Sequence, residues 1–215
     1  LGSVLYNYSS TKKVTLDEMI NHSKSVRLGV KKSLMVVDMP YKTYISKNLA
    51  LKNAKKIMKK TKCDAVKLEG GKKIINQIQF LIKNKIPVMG HLGLLPQSAK
   101  GKFQSKGKNI KEIKQLRNDA MLLQKNGVFA IVLECVKTQI AKQITNDLKI
   151  PTIGIGSSVH CDGQVLVTDD LIGLNETNIK FVKKFANIKR YINLGLKNFA
   201  QAVKNKRYPT RKYSY

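Results

Sequence analysis

Asp38, Glu69 and Glu134 each close a short apolar run: Met35-Val36-Val37-Asp38, Ala65-Val66-Lys67-Leu68-Glu69 and Ile131-Val132-Leu133-Glu134. His91 follows Pro87-Val88-Met89-Gly90 in the same way. Lys67 and Glu69 are two apart, so on a strand both point to one side. Carboxylates gathered in one place repel unless a cation or a shared proton joins them. Hard oxygen ligands of this kind suit Mg2+, which keeps several waters and takes one or two carboxylates. No His-rich spacing competes for zinc. Any one of these acids alone reads as a cap on the following helix. Three acids, a lysine and a histidine at four consecutive run ends read as a site. Gly70-Gly71, and Gly90 through Gly93, let backbone turn tightly or approach a ligand closely.

These residues need elements that bring them together, and the chain alternates between two patterns. β-rich runs are Leu34–Val37, Ala65–Leu68, Pro87–Gly90, Val128–Leu133, Thr152–Ile155 and Val165–Val167. Amphipathic stretches at helical period are Leu16–Val30, Leu49–Lys60, Ile74–Lys85, Ile110–Lys125, Thr138–Leu148 and Phe181–Val203. Thr15 with Asp17 and Glu18 suits a helix start, and Asn126-Gly127 a stop. Repeated strand–helix units with nearly continuous apolar strands predict a parallel sheet covered on both faces. The expected fold is α/β, a (β/α)8 barrel lacking its first two strands, whose strand ends converge on one mouth. A doubly wound sheet is the other arrangement of such units. No Gly-x-Gly-x-x-Gly follows the first strand, and Gly154-Ile155-Gly156 at a late strand end is a weak dinucleotide signal. No linker interrupts the chain, so one barrel domain over residues 1–215 is expected, incomplete at its N-terminus and ending in a basic tail, 204–215.

Composition bounds the rest. Hydrophobic residues make up 42% and charged residues 25%, the balance of a globular chain. Lys and Arg number 41 against 13 Asp and Glu, a net charge of +28 that invites a nucleic-acid reading. Yet 36 of the 41 are Lys. Nucleic-acid sites favour the planar fork of Arg, and here Lys recurs on almost every polar helix face. A solvated, Lys-coated surface with no specific nucleic-acid partner is the expectation. The apolar runs are too short and too broken for a membrane span. Cys63, Cys135 and Cys161 are odd in number and far apart, so neither a disulfide framework nor a zinc site is indicated. That usage fits a reducing cytoplasm.

Several strings resemble the ketopantoate hydroxymethyltransferase family: Val37-Asp38-Met39-Pro40-Tyr41, Val66-Lys67-Leu68-Glu69-Gly70-Gly71, and Pro87 through Ser98. Val132-Leu133-Glu134-Cys135-Val136, Pro151 through Gly156 and Cys161 through Val167 add to the resemblance, in the family's order. The resemblance implies a (β/α)8-barrel enzyme of pantothenate biosynthesis, assembled as a homodecamer in the cytoplasm. It implies transfer of a hydroxymethyl group from 5,10-methylenetetrahydrofolate to 3-methyl-2-oxobutanoate, through a Mg2+-stabilised enolate, giving 2-dehydropantoate. Asp38 and Glu69 would then bind Mg2+, Asp38 and Lys67 would contact the oxo acid, and Glu134 would accept the proton. His91 matches a family active-site position without an assigned role. The family's Gly-Asp-Ser, a metal ligand and a substrate contact, falls just before Leu1. A truncated copy, inactive by itself, is therefore expected. Ser157-Ser158 replaces the family's Ala-Gly. Two rivals stand beside this reading: a Mg2+-dependent lyase of the phosphoenolpyruvate mutase type, which needs no folate, and a basic nucleic-acid-binding domain.

Overall fold

A computed structural model of the chain describes residues 1–98, 104–176 and 178–215. They fall into two compact units, Leu1–Val165 and Leu166–Tyr215. In chain order the first unit holds α1 (Gly2–Leu5), α2 (Leu16–Gly29), β1 (Val36–Asp38), α3 (Lys47–Thr61), β2 (Ala65–Glu69) and α4 (Ile75–Lys83). It continues with β3 (Val88–Gly93), α5 (Ile110–Lys125), β4 (Ala130–Glu134), α6 (Thr138–Asp147), β5 (Thr152–Ile155) and β6 (Gly163–Gln164). The six strands pair in parallel and in chain order, a curled sheet that makes half a barrel.

The outer face of the sheet is apolar because alternate strand residues are: Val66, Leu68, Val88, Ile131 and Leu133 are fully buried. Ile57 of α3, Ile78 and Leu81 of α4, Leu123 of α5 and Ile144 of α6 join them in one core. Gly90 lets α5 close on β3, since a Cβ there would stand 2.9 Å from Leu123 Cδ1. The helices start and stop where their residues dictate. Thr15 and Glu18 form a reciprocal capping box on α2. Lys62 ends α3 in the left-handed region, and Gly127 (φ +85°) follows α5.

Two expected elements differ. Val165–Val167 forms no strand: the ladder to β5 is made by Gly163 and Gln164, and Val165 and Val167 are exposed. Val167 instead precedes α7 (Thr168–Leu171), the first element of the second unit. The last helix, α8 (Ile188–Lys204), starts later than residue 181. Phe185 and Ile188 donate backbone N–H groups to Leu171 and Ile172, and the Asn187 side chain accepts from Arg190 N as a cap. Beyond α8, Tyr208 packs on Phe199 and on Tyr213, so aromatic contacts hold the basic end of the chain. Among the described residues no helix is long and apolar enough to cross a membrane.

Gly93 couples this scaffold to the strand ends. Its φ of +96° suits glycine, and a Cβ would lie 2.2 Å from the Glu134 carbonyl oxygen and 2.7 Å from Val136 Cγ2. Gly93→Ala should lower stability by roughly 1–3 kcal/mol from backbone strain alone, with the clash adding to it. Denaturant unfolding measures this, and an unchanged midpoint would contradict the close approach of β3 and β4.

Candidate active site

The register of the sheet gathers the expected residues. Asp38 pairs with Lys67, Glu69 with His91 and Gly93 with Glu134. Paired residues of parallel strands share a face, as do residues two apart on one strand. Asp38, Lys67, Glu69, His91 and Glu134 therefore all lie on the inner face, toward the C-terminal ends of β1 to β4.

Contacts join four of them in a chain. Lys67 Nζ lies 3.1 Å from Asp38 Oδ1 and 3.1 Å from His91 Nδ1. His91 Nε2 lies 3.2 Å from Glu134 Oε2, but off the line of a hydrogen bond, so this buried nitrogen has no hydrogen-bond partner. Burial, with help from the Lys67 ammonium, pushes His91 down to about 3 and keeps the ring neutral. Burial also pushes Glu134 up to about 7, against the pull of Lys67 and with the push of Asp38. Glu69 is raised to about 7 by burial as well; the Gln97 N–H and Lys67 oppose the rise, while Asp38 and Glu134 add to it. The three carboxyl groups thus feel one another's charge, and Asp38 and Glu69 are the hard oxygen donors that a cation would meet here. Among the described residues no three His, Cys, Asp or Glu side chains converge as a ready-made metal cage.

Several supporting residues were not visible in the sequence. Gln97 donates its backbone N–H to Glu69 Oε2 at 3.0 Å and its side-chain amide to Met39 O at 2.9 Å. Tyr44 donates its hydroxyl to Gln97 Oε1. Asp119, from α5, accepts from Lys72 N at 2.9 Å and packs on Gly71, where a Cβ would lie 2.2 Å from its Cγ. Tyr44 and Asp119 sit in a loop and on a helix with no motif around them; Gln97 falls within the Pro87–Ser98 string, which gave it no role, and only Gly70-Gly71 hinted at a tight approach. A cavity of about 580 Å3 opens beside Glu69 and Gly93 and is lined also by Leu95, Gln115 and Asp119. Cys135, next to Glu134, is raised to about 11 by burial and offers no thiolate. His160 is exposed in the turn between β5 and β6.

A parallel sheet in chain order with a buried acid–base cluster at its C-terminal ends defines an enzyme of the barrel class. Solved structures agree on the fold. 2,3-Dimethylmalate lyase, a PEP mutase/isocitrate lyase superfamily member, matches with a TM-score of 0.52 at 9% identity, over 99% of this chain and 75% of that one. Oxaloacetate acetylhydrolase matches with a TM-score of 0.54 at 9% identity, over 98% and 83%. At such identity the likeness speaks for the fold alone. Sequence comparison goes further. The model of the family described as ketopantoate hydroxymethyltransferase matches residues 1–211. A 3-methyl-2-oxobutanoate hydroxymethyltransferase of Pelagibacter ubique (strain HTCC1062) is 65% identical over 215 residues, all of this chain and 83% of the relative. Another, of Acetivibrio thermocellus, is 46% identical over 219 aligned positions, all of this chain and 77% of the relative. The chain belongs to the ketopantoate hydroxymethyltransferase family.

The raised carboxyl groups have a consequence for stability. In the folded chain Glu69 and Glu134 keep protons at pH values where the unfolded chain has lost them. Their stabilising contribution is complete below the unfolded value of 4.5 and is lost as pH rises through about 7. Glutamine at both positions has no proton to lose. With divalent cations chelated, Glu69→Gln/Glu134→Gln should gain stability relative to the wild type as pH rises from about 5 to about 8. Denaturant midpoints across that range measure the gap, and a gap that does not change with pH would contradict the shifts.

Proposed function

We propose that this protein transfers a hydroxymethyl group from 5,10-methylenetetrahydrofolate to 3-methyl-2-oxobutanoate, giving 2-dehydropantoate. The observation that carries the reading is the chain Asp38–Lys67–His91–Glu134 on strand ends beside Glu69, in a sequence whose relatives bear that enzyme's name. The sheet is read as part of a (β/α)8 barrel.

The chemistry suits these side chains. The C3 proton of 3-methyl-2-oxobutanoate is acidified by the neighbouring ketone. Glu134, raised toward neutral pH, is a carboxylate base of matched strength. It takes the C3 proton first, and the enolate left behind then attacks the one-carbon unit: the new C–C bond forms as the carbon's two bonds to the folate nitrogens break, water supplies the hydroxyl oxygen, and tetrahydrofolate leaves. Lys67 sets positive charge against the anionic oxo acid, and Asp38 fixes where that ammonium stands.

Mg2+ fits the donor set. Asp38 and Glu69 offer two oxygen ligands, few enough for an ion that keeps several waters. The like-charge pressure that Asp38 and Glu134 put on Glu69 is the kind a cation relieves. Held there, Mg2+ would supply positive charge to the keto and carboxylate oxygens of the substrate. The cavity beside Glu69 gives room for a co-substrate. A cytoplasmic location agrees with three unpaired cysteines. Assembly into a homo-oligomer belongs to the same reading: Ile192, Leu196, Phe199 and Val203, spaced three and four apart on α8, are exposed on one apolar face that a partner copy would cover.

Proton NMR of the purified protein with oxo acid, Mg2+ and 5,10-methylenetetrahydrofolate should show 2-dehydropantoate forming, and no turnover when the folate is left out. Turnover of an oxo acid without folate would favour a lyase instead. Asp38→Asn and Glu69→Gln should each raise the Mg2+ concentration needed for half-maximal activity, by about tenfold or more for loss of one charged ligand. Unchanged Mg2+ titrations for both variants would remove these residues from the metal site.

A further inference from the structure

His91 is the member of the cluster to which the reaction above gives no task. Its ring is buried, with 2% of its surface exposed, on β3 between groups of opposite charge. Nδ1 faces the Lys67 ammonium at 3.1 Å and Nε2 faces the Glu134 carboxyl at 3.2 Å. An ammonium has three donors and no acceptor. Nδ1 therefore accepts from Lys67, and the single proton of the neutral ring must sit on Nε2. Asp38, 3.1 Å from the same ammonium, keeps Lys67 from turning away.

The assignment has two consequences. His91 has no free lone pair: Nδ1 is taken by Lys67 and Nε2 carries its proton. It cannot be the base. Its Nε2–H is also a buried donor still without a hydrogen-bond partner; Glu134 Oε2 stands 3.2 Å from it, and the Leu94 backbone also lies beside the ring. Catalytic hydrogen bonds in ligand-free enzymes are often misaligned and tighten when substrate binds.

We propose that His91 is a positioning residue for Glu134. Lys67 locks it as the Nε2–H tautomer, and Nε2–H then holds one carboxylate oxygen so that the other faces the substrate proton. The role rests on the reading of Glu134 as the base.

Two measurements test it. Side-chain 1H–15N NMR of the wild type, with His91 distinguished from His22 and His160 by its absence in His91→Gln, should show the Nε2–H tautomer. Lys67→Met, which removes the donor to Nδ1, should release a mixture of tautomers. An Nδ1–H or doubly protonated His91 in the wild type overturns the proposal, and this result needs no variant to fold. The second measurement is exchange of the substrate C3 proton with D2O in the presence of Mg2+. In His91→Gln the amide nitrogen reaches the place of Nε2, so exchange should stay within about tenfold of wild type. In His91→Asn the amide stops short, near the place of Nδ1. Its exchange should fall by about 10²-fold, the cost of a misplaced catalytic group, with KM for the oxo acid little changed. Equal losses in the two variants, or a loss confined to KM, overturn the positioning role. A wild type that exchanges no proton overturns the reading of Glu134 as base, whereas the NMR result reports on the tautomer independently.

Discussion

A buried ammonium must be paired, and the pairing of Lys67 organises everything around it. Only 15% of its side chain meets solvent, so its charge is held by Asp38 rather than by water. A second donor goes to His91, which sets the state of that ring and points it at Glu134. The same ammonium is too little for its surroundings. Burial is the main reason that Glu69 and Glu134 hold protons more tightly than usual, and the charge of neighbouring carboxylates adds to it: fully ionised, Asp38, Glu69 and Glu134 would set three negative charges against one positive. A divalent cation would balance the remaining two charges. That is the place the proposed function gives to Mg2+, although the described residues form no closed cage.

Backbone geometry makes this convergence possible. Parallel pairing without a slip keeps Asp38 beside Lys67, Glu69 beside His91 and Gly93 beside Glu134. One residue of slip on any strand would turn its polar residues into the helix-facing core. Glycine marks the tightest places. Gly90 admits α5, Gly93 admits the Glu134 carbonyl, and Gly71 admits the Asp119 carboxyl. Asp119 and Gln97 then tie the segment after β2 and the backbone beyond β3 to the site. The packed outer face is therefore also what fixes the acids on the inner face.

Much of this was legible in the sequence, for a physical reason. A buried parallel strand is apolar throughout, so a charge at its end stands out, and Asp38, Glu69 and Glu134 each do. Five of the six strand runs and five of the six long helices lie where periodicity puts them, within a few residues at their ends. Val165–Val167 misled because β-branched residues at an exposed chain segment look like a strand end. The start of α8 was hidden because residues 181–187 share its period, while Phe185 and Ile188 give their backbone N–H groups to Leu171 and Ile172 rather than to a helix turn before them. The roles of Gln97 and Tyr44 were out of reach: Gln97 lies in the Pro87–Ser98 string, but the partners of a loop amide and a loop phenol are set by three-dimensional closure. The link from Lys67 through His91 to Glu134 was half legible, since run-end positions gave the shared mouth but neither the register nor the contacts.

The central claim is that these strand ends form one acid–base device with Glu134 as its proton acceptor. Deuterium uptake at C3 of 3-methyl-2-oxobutanoate, with Mg2+ and without folate, tests it most directly. The wild type should exchange the proton. Glu134→Gln should exchange about 10²- to 10⁴-fold more slowly, the usual worth of a positioned general base, while still binding substrate and Mg2+. Exchange at the wild-type rate in Glu134→Gln would place the base elsewhere and contradict the account.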